Sequence, residues 1–171
     1  MSLEFDSYEA AGMSDLSPPE IQFVEQQGLF FEGLGFSRIQ ARILALMLVV
    51  ERPLDQDEVC ALLSVSRASV HTGTRILTVL GLLERVPRAG DRRTCFRWSP
   101  RAWEQAFEAI LGHCRKGVLL ARAGMEAVAP GNHEARGRLE EMLRLAEFVE
   151  RETLEASAEW GRRQAVRREG R

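Results

Sequence analysis

Six side chains within ten positions, Ser66, Arg67, Ser69, His71, Thr72 and Arg75, are hydrogen-bonding groups of short or medium length. Two of them are guanidinium forks. At helical spacing Val70 and Leu77 turn inward and leave these six outward. Such a set does the chemistry of reading nucleic acid. Hydroxyls bond phosphates or base edges, Arg grips guanine at two points, and His can do either. The start of a helix also attracts phosphate through its exposed N–H groups. A second group lies just downstream, where Arg88, Arg92 and Arg93 crowd around Gly90-Asp91. A basic loop tip can enter or skirt a minor groove. Asp91 is an acid among cations. Its expected job is to hold an Arg in place, because it would repel phosphate if it faced a duplex. The competing reading is a three-helix core with a solvated polar face and surface ion pairs of little worth.

These residues need a short helix, a tight turn, a longer helix and a hairpin to position them. Asp55-Gln56-Asp57-Glu58 is a capping box that opens the short helix, with Val59, Cys60 and Leu63 inward. Ser64-Val65-Ser66 is the turn, with Val65 plugging the core and Ser66 capping the next helix. That helix is expected from about Arg67 to Leu80, with Val70, Leu77 and Leu80 apolar, and Gly81 ends it. Leu82 to Arg88 and Thr94 to Trp98 read as paired strands. The order places one helix in a major groove and a charged loop beside it.

Two capping boxes precede this stretch. Ser17-Pro18-Pro19-Glu20 starts a helix with Ile21, Val24, Leu29 and Phe31 on its apolar face, and Gly33 and Gly35 close it. Ser37-Arg38-Ile39-Gln40 starts another, largely buried through Ile39, Ile43, Leu46, Met47 and Val50, and Pro53 stops it. Downstream, Ser99-Pro100 begins a helix whose inner face is Trp103, Phe107, Ile110, Cys114, Val118 and Ala121. Ala129-Pro130-Gly131-Asn132 breaks it. From His133 the chain reads as one long helix of about 50 Å. Leu139, Met142, Ala146, Val149, Thr153, Ala156 and Trp160 step by three and four along it as a heptad seam. A helix that long needs a partner.

The expected fold is mainly α. A winged helix-turn-helix domain with a small β-hairpin wing spans residues 17–99, including the helix that precedes the motif. A flexible acidic arm covers 1–16, and a long helical dimerisation arm with a basic tail covers 100–171. Charge supports the division. Residues 1–37 hold seven acids and no Lys or Arg, whereas residues 64–101 hold eight Arg against two acids, within a chain of net charge -2. A local basic patch in a near-neutral chain suits a phosphate-bearing partner.

From Gly28 to Trp98 the chain resembles the winged helix of the MarR superfamily. The matching pieces are Ser66-Arg67-Ala68-Ser69-Val70, Leu82-Leu83-Glu84-Arg85 and Asp91-Arg92-Arg93. Phe30-Phe31-Glu32, Gly35-Phe36-Ser37-Arg38 and Arg42-Ile43-Leu44 look closest to the GbsR branch. The resemblance implies a homodimeric DNA-binding transcriptional regulator, usually a repressor, that reads a palindromic operator. It puts Ser66, Arg67, Ser69, His71, Thr72 and Arg75 on the recognition helix and Arg92 and Arg93 on the wing.

Other chemistries find less support. Three scattered cysteines, Cys60, Cys95 and Cys114, make neither a disulfide framework nor a zinc knuckle. Cys60 and Cys114 fall on apolar faces. Cys95, between Arg93 and Arg97, is the candidate for redox sensing. His113 and Cys114 are adjacent and diverge on a helix, so no metal site is expected. No catalytic motif is present, so an enzyme is not expected and no cofactor is assigned. A small-molecule effector could lie among Phe30, Phe31, Phe36, Trp98, Trp103 and Phe107, although core filling also explains these rings. The acidic N-terminus is unlike a signal peptide, and the apolar run Ile43–Val50 is too short to span a bilayer. A cytoplasmic location without membrane contact is expected. The remaining alternative is a winged helix that docks protein.

Overall fold

The computed structural model describes residues 16–87 and 93–169, except for the side chains of 168 and 169. Two helices open it. In α1 (Pro18–Gly33) the Glu20 carboxylate accepts from both the N–H and the hydroxyl of Ser17, at 2.6 Å each. Val24, Gly28 and Phe31 form its buried stripe. Leu29 was expected inward but is 68% exposed, because its neighbour Gly28 takes the contact position instead. Gly35, at φ 96°, makes the left-handed turn after the helix. In α2 (Arg38–Val49) the Ser37 N–H donates to Gln40 Oε1 at 2.9 Å. Ala41, Ile43, Leu44, Ala45, Leu46 and Met47 are all buried, so α2 is the central post of the core.

Arg42 ties three helices together. Its Nε and Nη2 donate to Glu25 Oε1 on α1, at 2.9 and 2.6 Å. Its Nη1 donates to the Leu63 carbonyl at 3.0 Å, at the end of α3 (Gln56–Leu63). Ser64 then adopts left-handed backbone (φ 52°, ψ 49°), and Val65 packs against the core as expected. The second helix of the motif, α4 (Arg67–Val79), buries Val70, Gly73, Thr74 and Leu77. The expected apolar position Leu80 is instead 42% exposed. It lies beyond the last turn, and Leu82, following Gly81 at φ 71°, enters the core in its place.

The sheet has three strands rather than the expected two. The short strand β1 (Leu54–Asp55) precedes α3, and β2 (Leu83–Pro87) and β3 (Thr94–Trp98) form the hairpin. All pairings are antiparallel in the order β1-β3-β2, with Leu54 opposite Phe96, Asp55 opposite Cys95 and Glu84 opposite Arg97. Two residues carry too little alternation to signal a strand, so β1 is visible only through its pairing. Arg88, Asp91 and Arg92 fall outside the described residues.

The chain divides into two units, the first ending at Ala102 and the second beginning at Trp103. In the second, α5 (Ala102–Ala127) and α6 (His133–Glu169) run antiparallel. A Cβ on Gly117 would sit 3.6 Å from that of Ala146, and one on Gly124 would meet Leu139 Cδ2 at 3.0 Å. Arg115 to Glu150 at 2.9 Å and Arg122 to Glu147 at 3.1 Å flank the seam. The inner face of α5 is shifted from the expected one. Leu111 and Ala121 are buried and Cys114 and Val118 half-buried, whereas Trp103 and Ile110 are 47% and 46% exposed. The α6 seam is also partly used within the chain, since Leu139 and Ala146 face α5, while Met142 is exposed.

Candidate nucleic-acid interface

The outward face of α4 is the expected one. Ser66, Arg67, His71, Thr72 and Arg75 are exposed, and Ser69 is half-buried. Ser66 accepts from the Ser69 N–H at 3.3 Å, and the two hydroxyls are bonded at 2.8 Å. This cap satisfies one of the first N–H groups of α4 and leaves its amino end directed at solvent, where it favours an anion. On the inner face, Thr74 Oγ1 donates to the Val70 carbonyl at 2.8 Å, so a buried hydroxyl is satisfied within its own helix. Gly73 lies against α2: a Cβ there would come within 2.7 Å of Ile43 Cδ1. The outward face is therefore carried on a helix seated without space to spare.

Three consecutive residues at the start of α3 hold three residues that point toward the same side. Asp55 Oδ2 accepts from Arg93 Nη1 at 2.6 Å. Gln56 Nε2 donates to His71 Nδ1 at 3.2 Å. Asp57 Oδ1 lies 2.8 Å from Arg67 Nη1. An open cleft of about 320 Å³ is lined by Asp55, Gln56, Asp57, Arg67, Arg93 and Thr94. Asp55 does most. Its Oδ1 also accepts from the Glu58 N–H at 2.9 Å, and its own N–H donates to Glu58 Oε2 at 2.7 Å, completing the capping box. Its side chain is 3% exposed while that of Arg93 is 54% exposed. A buried carboxylate thus anchors the root of a solvent-facing guanidinium. The Arg67 pair is exposed on both sides, so it is easily exchanged for a phosphate.

The basic patch is less uniform than its composition. Arg97 is bound by Glu84 across the hairpin, at 3.1 and 2.9 Å. Arg85 lies 6.0 Å above the Phe96 ring. Among the described residues Arg75 has no carboxylate partner, and it is exposed on the outward face of α4. Of the sequence candidates, the structure brings together Ser66, Arg67, Ser69, His71, Thr72, Arg75 and Arg93. Sequence reasoning missed the holders, Asp55 in its second role and Gln56 and Asp57 altogether. A capping box signals only the first role of Asp55.

Cys95, the redox candidate, is 1% exposed on the central strand β3. A sensing thiol needs access, so this position does not suit the role. Cys60 is half-buried, and burial pushes its thiol pKa up, with Asp57 adding to the rise. Of the aromatic set, Phe31 is buried, Phe36 and Trp98 pack on the core, and Phe30 and Trp103 are more than 45% exposed. A cavity of about 160 Å³ beside the Glu25–Arg42 pair is lined instead by aliphatic residues such as Leu16, Ile21 and Leu62. Among the described residues there is no group of three metal-ligating side chains. No described helix is long and apolar enough to cross a membrane.

Comparison with known proteins adds an independent line. The profile of the MarR family matches residues 34–94, which covers α2, β1, α3, the turn, α4 and β2 and ends at the first residue of β3. A profile described as MmpR5-like MarR family transcriptional regulator matches residues 101–164. The chain is 30% identical over 147 residues to the HTH-type transcriptional regulator MmpR5 of Mycobacterium tuberculosis, covering 85% of this chain and 89% of that one. It is also similar to a crystal structure of a transcriptional regulator, with 31% identity and a TM-score of 0.73, covering 85% of this chain and 99% of that one.

Proposed function

Since the chain belongs to the MarR family and is a DNA-binding transcriptional regulator, we propose that it acts as a homodimeric repressor of a palindromic operator. The observation that carries the residue assignment is the exposed face of α4, restrained from α3 and set beside Arg93. In this reading Ser66, Arg67, Ser69, His71, Thr72 and Arg75 enter the major groove. Arg88, Arg92 and Arg93 lie along the backbone or in the adjoining minor groove, with Asp91 as a wing brace. His71 and Arg75 read bases, while Arg93 supplies charge. Two recognition helices about 34 Å apart would meet successive major grooves.

Dimerisation belongs to the second unit. The proposed seam is Leu139, Met142, Ala146, Val149, Ala156 and Trp160. Because Leu139 and Ala146 already pack on α5, the surface offered to a second copy centres on Met142, with exposed Leu145 and Phe148 beside it. Regulation rather than catalysis is the role, in the cytoplasm, with a small-molecule effector as the releasing signal. Placement in the GbsR branch rests on the segments 30–32, 35–38 and 42–44.

Selection from a randomised duplex pool, followed by titration at two salt concentrations, tests the reading. The expected product is an inverted repeat bound by a dimer, with affinity falling steeply as salt rises. A confirmed dimer that retards no fragment at low salt would instead favour a protein-docking role.

A further inference from the structure

His71 is an unusual base reader because its chemistry depends on where its proton sits. A neutral imidazole offers a donor at one nitrogen and an acceptor at the other. On α4 the choice is tied to a neighbour. Gln56 Nε2 lies 3.2 Å from His71 Nδ1, and an amide NH₂ can only donate. Nδ1 must then accept, which puts the ring proton on Nε2. Gln56 is the first residue of α3 and is half-buried, while His71 is exposed on the reading face. The bond therefore reaches from the supporting helix to a groove-facing side chain.

We infer that Gln56 is a specificity-determining positioning residue. It holds His71 with Nε2–H outward, so that α4 presents a donor to base acceptors such as guanine O6 and N7 or thymine O4. Cytosine N4 and adenine N6 amino groups, being donors, are rejected at that position. The inference rests on the proposed base-reading role of His71 and adds the hydrogen-bond polarity of what it reads. Asp57, the next residue, restrains Arg67 in a similar way but leaves its polarity unchanged, because a guanidinium only donates.

The test uses the full chain, wild type and with Gln56→Leu, Gln56→Glu or His71→Ala. Nitrogen-15 spectra of the imidazole, taken where it is neutral, read the tautomer in the free protein. Selection from a randomised duplex pool reads the base preference. Wild type should carry its proton on Nε2 and enrich an acceptor edge at the His71 position. Gln56→Leu should populate both tautomers and flatten that one position by roughly 3- to 10-fold, the scale of one hydrogen bond. Gln56→Glu should draw the proton to Nδ1 and shift the preference toward an amino edge. A wild-type ring protonated on Nδ1 would overturn the inference. So would an unchanged preference in Gln56→Leu at a position that His71→Ala does flatten. If His71→Ala changes no position, the base-reading role itself fails and the inference falls with it.

Discussion

Arg93 Nη1 lies 2.6 Å from Oδ2 of Asp55, although the two residues are 38 positions apart. Strand pairing brings them together, since Asp55 sits opposite Cys95 on β3. The same carboxylate caps α3. One buried side chain therefore fixes both the start of the motif's first helix and the base of the hairpin.

Replacing Asp55 separates its two roles. Asp55→Asn keeps an oxygen for the Glu58 N–H but removes the charge that holds Arg93. Asp55→Ala removes both. Loss of an N-cap costs about 1 kcal/mol, so Asp55→Ala should be less stable than Asp55→Asn in urea denaturation. Both should weaken DNA binding by several-fold at unchanged salt slope, because Arg93 keeps its charge.

Arg93→Ala should weaken binding to every duplex alike and reduce the salt slope by about one. Arg75→Ala should cost about 1–3 kcal/mol on the preferred operator and relax the selected sequence at its own position. Fluorescence anisotropy over a salt series distinguishes them. Equal losses on all duplexes for both variants would remove the base-reading role of Arg75.

Gly73→Ala puts a Cβ 2.7 Å from Ile43 Cδ1, a fully buried atom. Overpacking of this kind costs about 1–3 kcal/mol. Ile43→Val removes the clashing methyl, so the double variant should recover most of the stability lost by Gly73→Ala. Denaturant midpoints of the two single variants and the double variant give the coupling directly.

The cysteines should differ in reactivity. Cys95 is 1% exposed and should resist alkylation in the folded chain. Cys60 is reachable, but its pKa is raised, first by burial and then by Asp57. A raised pKa means less thiolate at a given pH, so its labelling profile should lie at higher pH than that of a solvated thiol. Mass-resolved alkylation across pH reads both effects. Rapid labelling of Cys95 by peroxide or alkylator in folded protein would reopen the redox role.

Met142→Glu combined with Phe148→Glu charges two exposed apolar positions of α6 without touching the Gly117–Ala146 or Gly124–Leu139 contacts. Helix content should persist while light scattering shows a shift from dimer toward monomer. A full dimer in this variant would move the pairing surface elsewhere.

Much of the fold could be read from local rules. Ser17, Ser37, Asp55 and Ser66 each open a helix as their spacing predicts, and Val59, Leu63, Val70 and Leu77 point inward. What escaped depends on distant contacts. Strand β1 exists only because β3 lies beside it. Leu29 and Leu80 looked apolar enough to bury, but Gly28 and Leu82 hold the contact positions. On α5, hydrophobic residues occupy more than one stripe, and periodicity alone does not select Leu111 over Ile110 for burial. The exposed face of α4 was legible because capping and periodicity define it. Its restraint by Gln56 and Asp57 was not, because those pairs form across the turn between two helices.

Asp55, Gln56 and Asp57 each hold a different partner, and they do so in consecutive order at a strand-to-helix junction. Losing or gaining one residue there would rotate the start of α3 by about 100° relative to β1, so that the three residues could no longer meet their three partners at once. Within the segment between Pro53 and Val59, exchanges of side chain should therefore alter one restraint at a time, whereas a change of length disturbs all of them. Side chains at this junction can then vary only at fixed spacing.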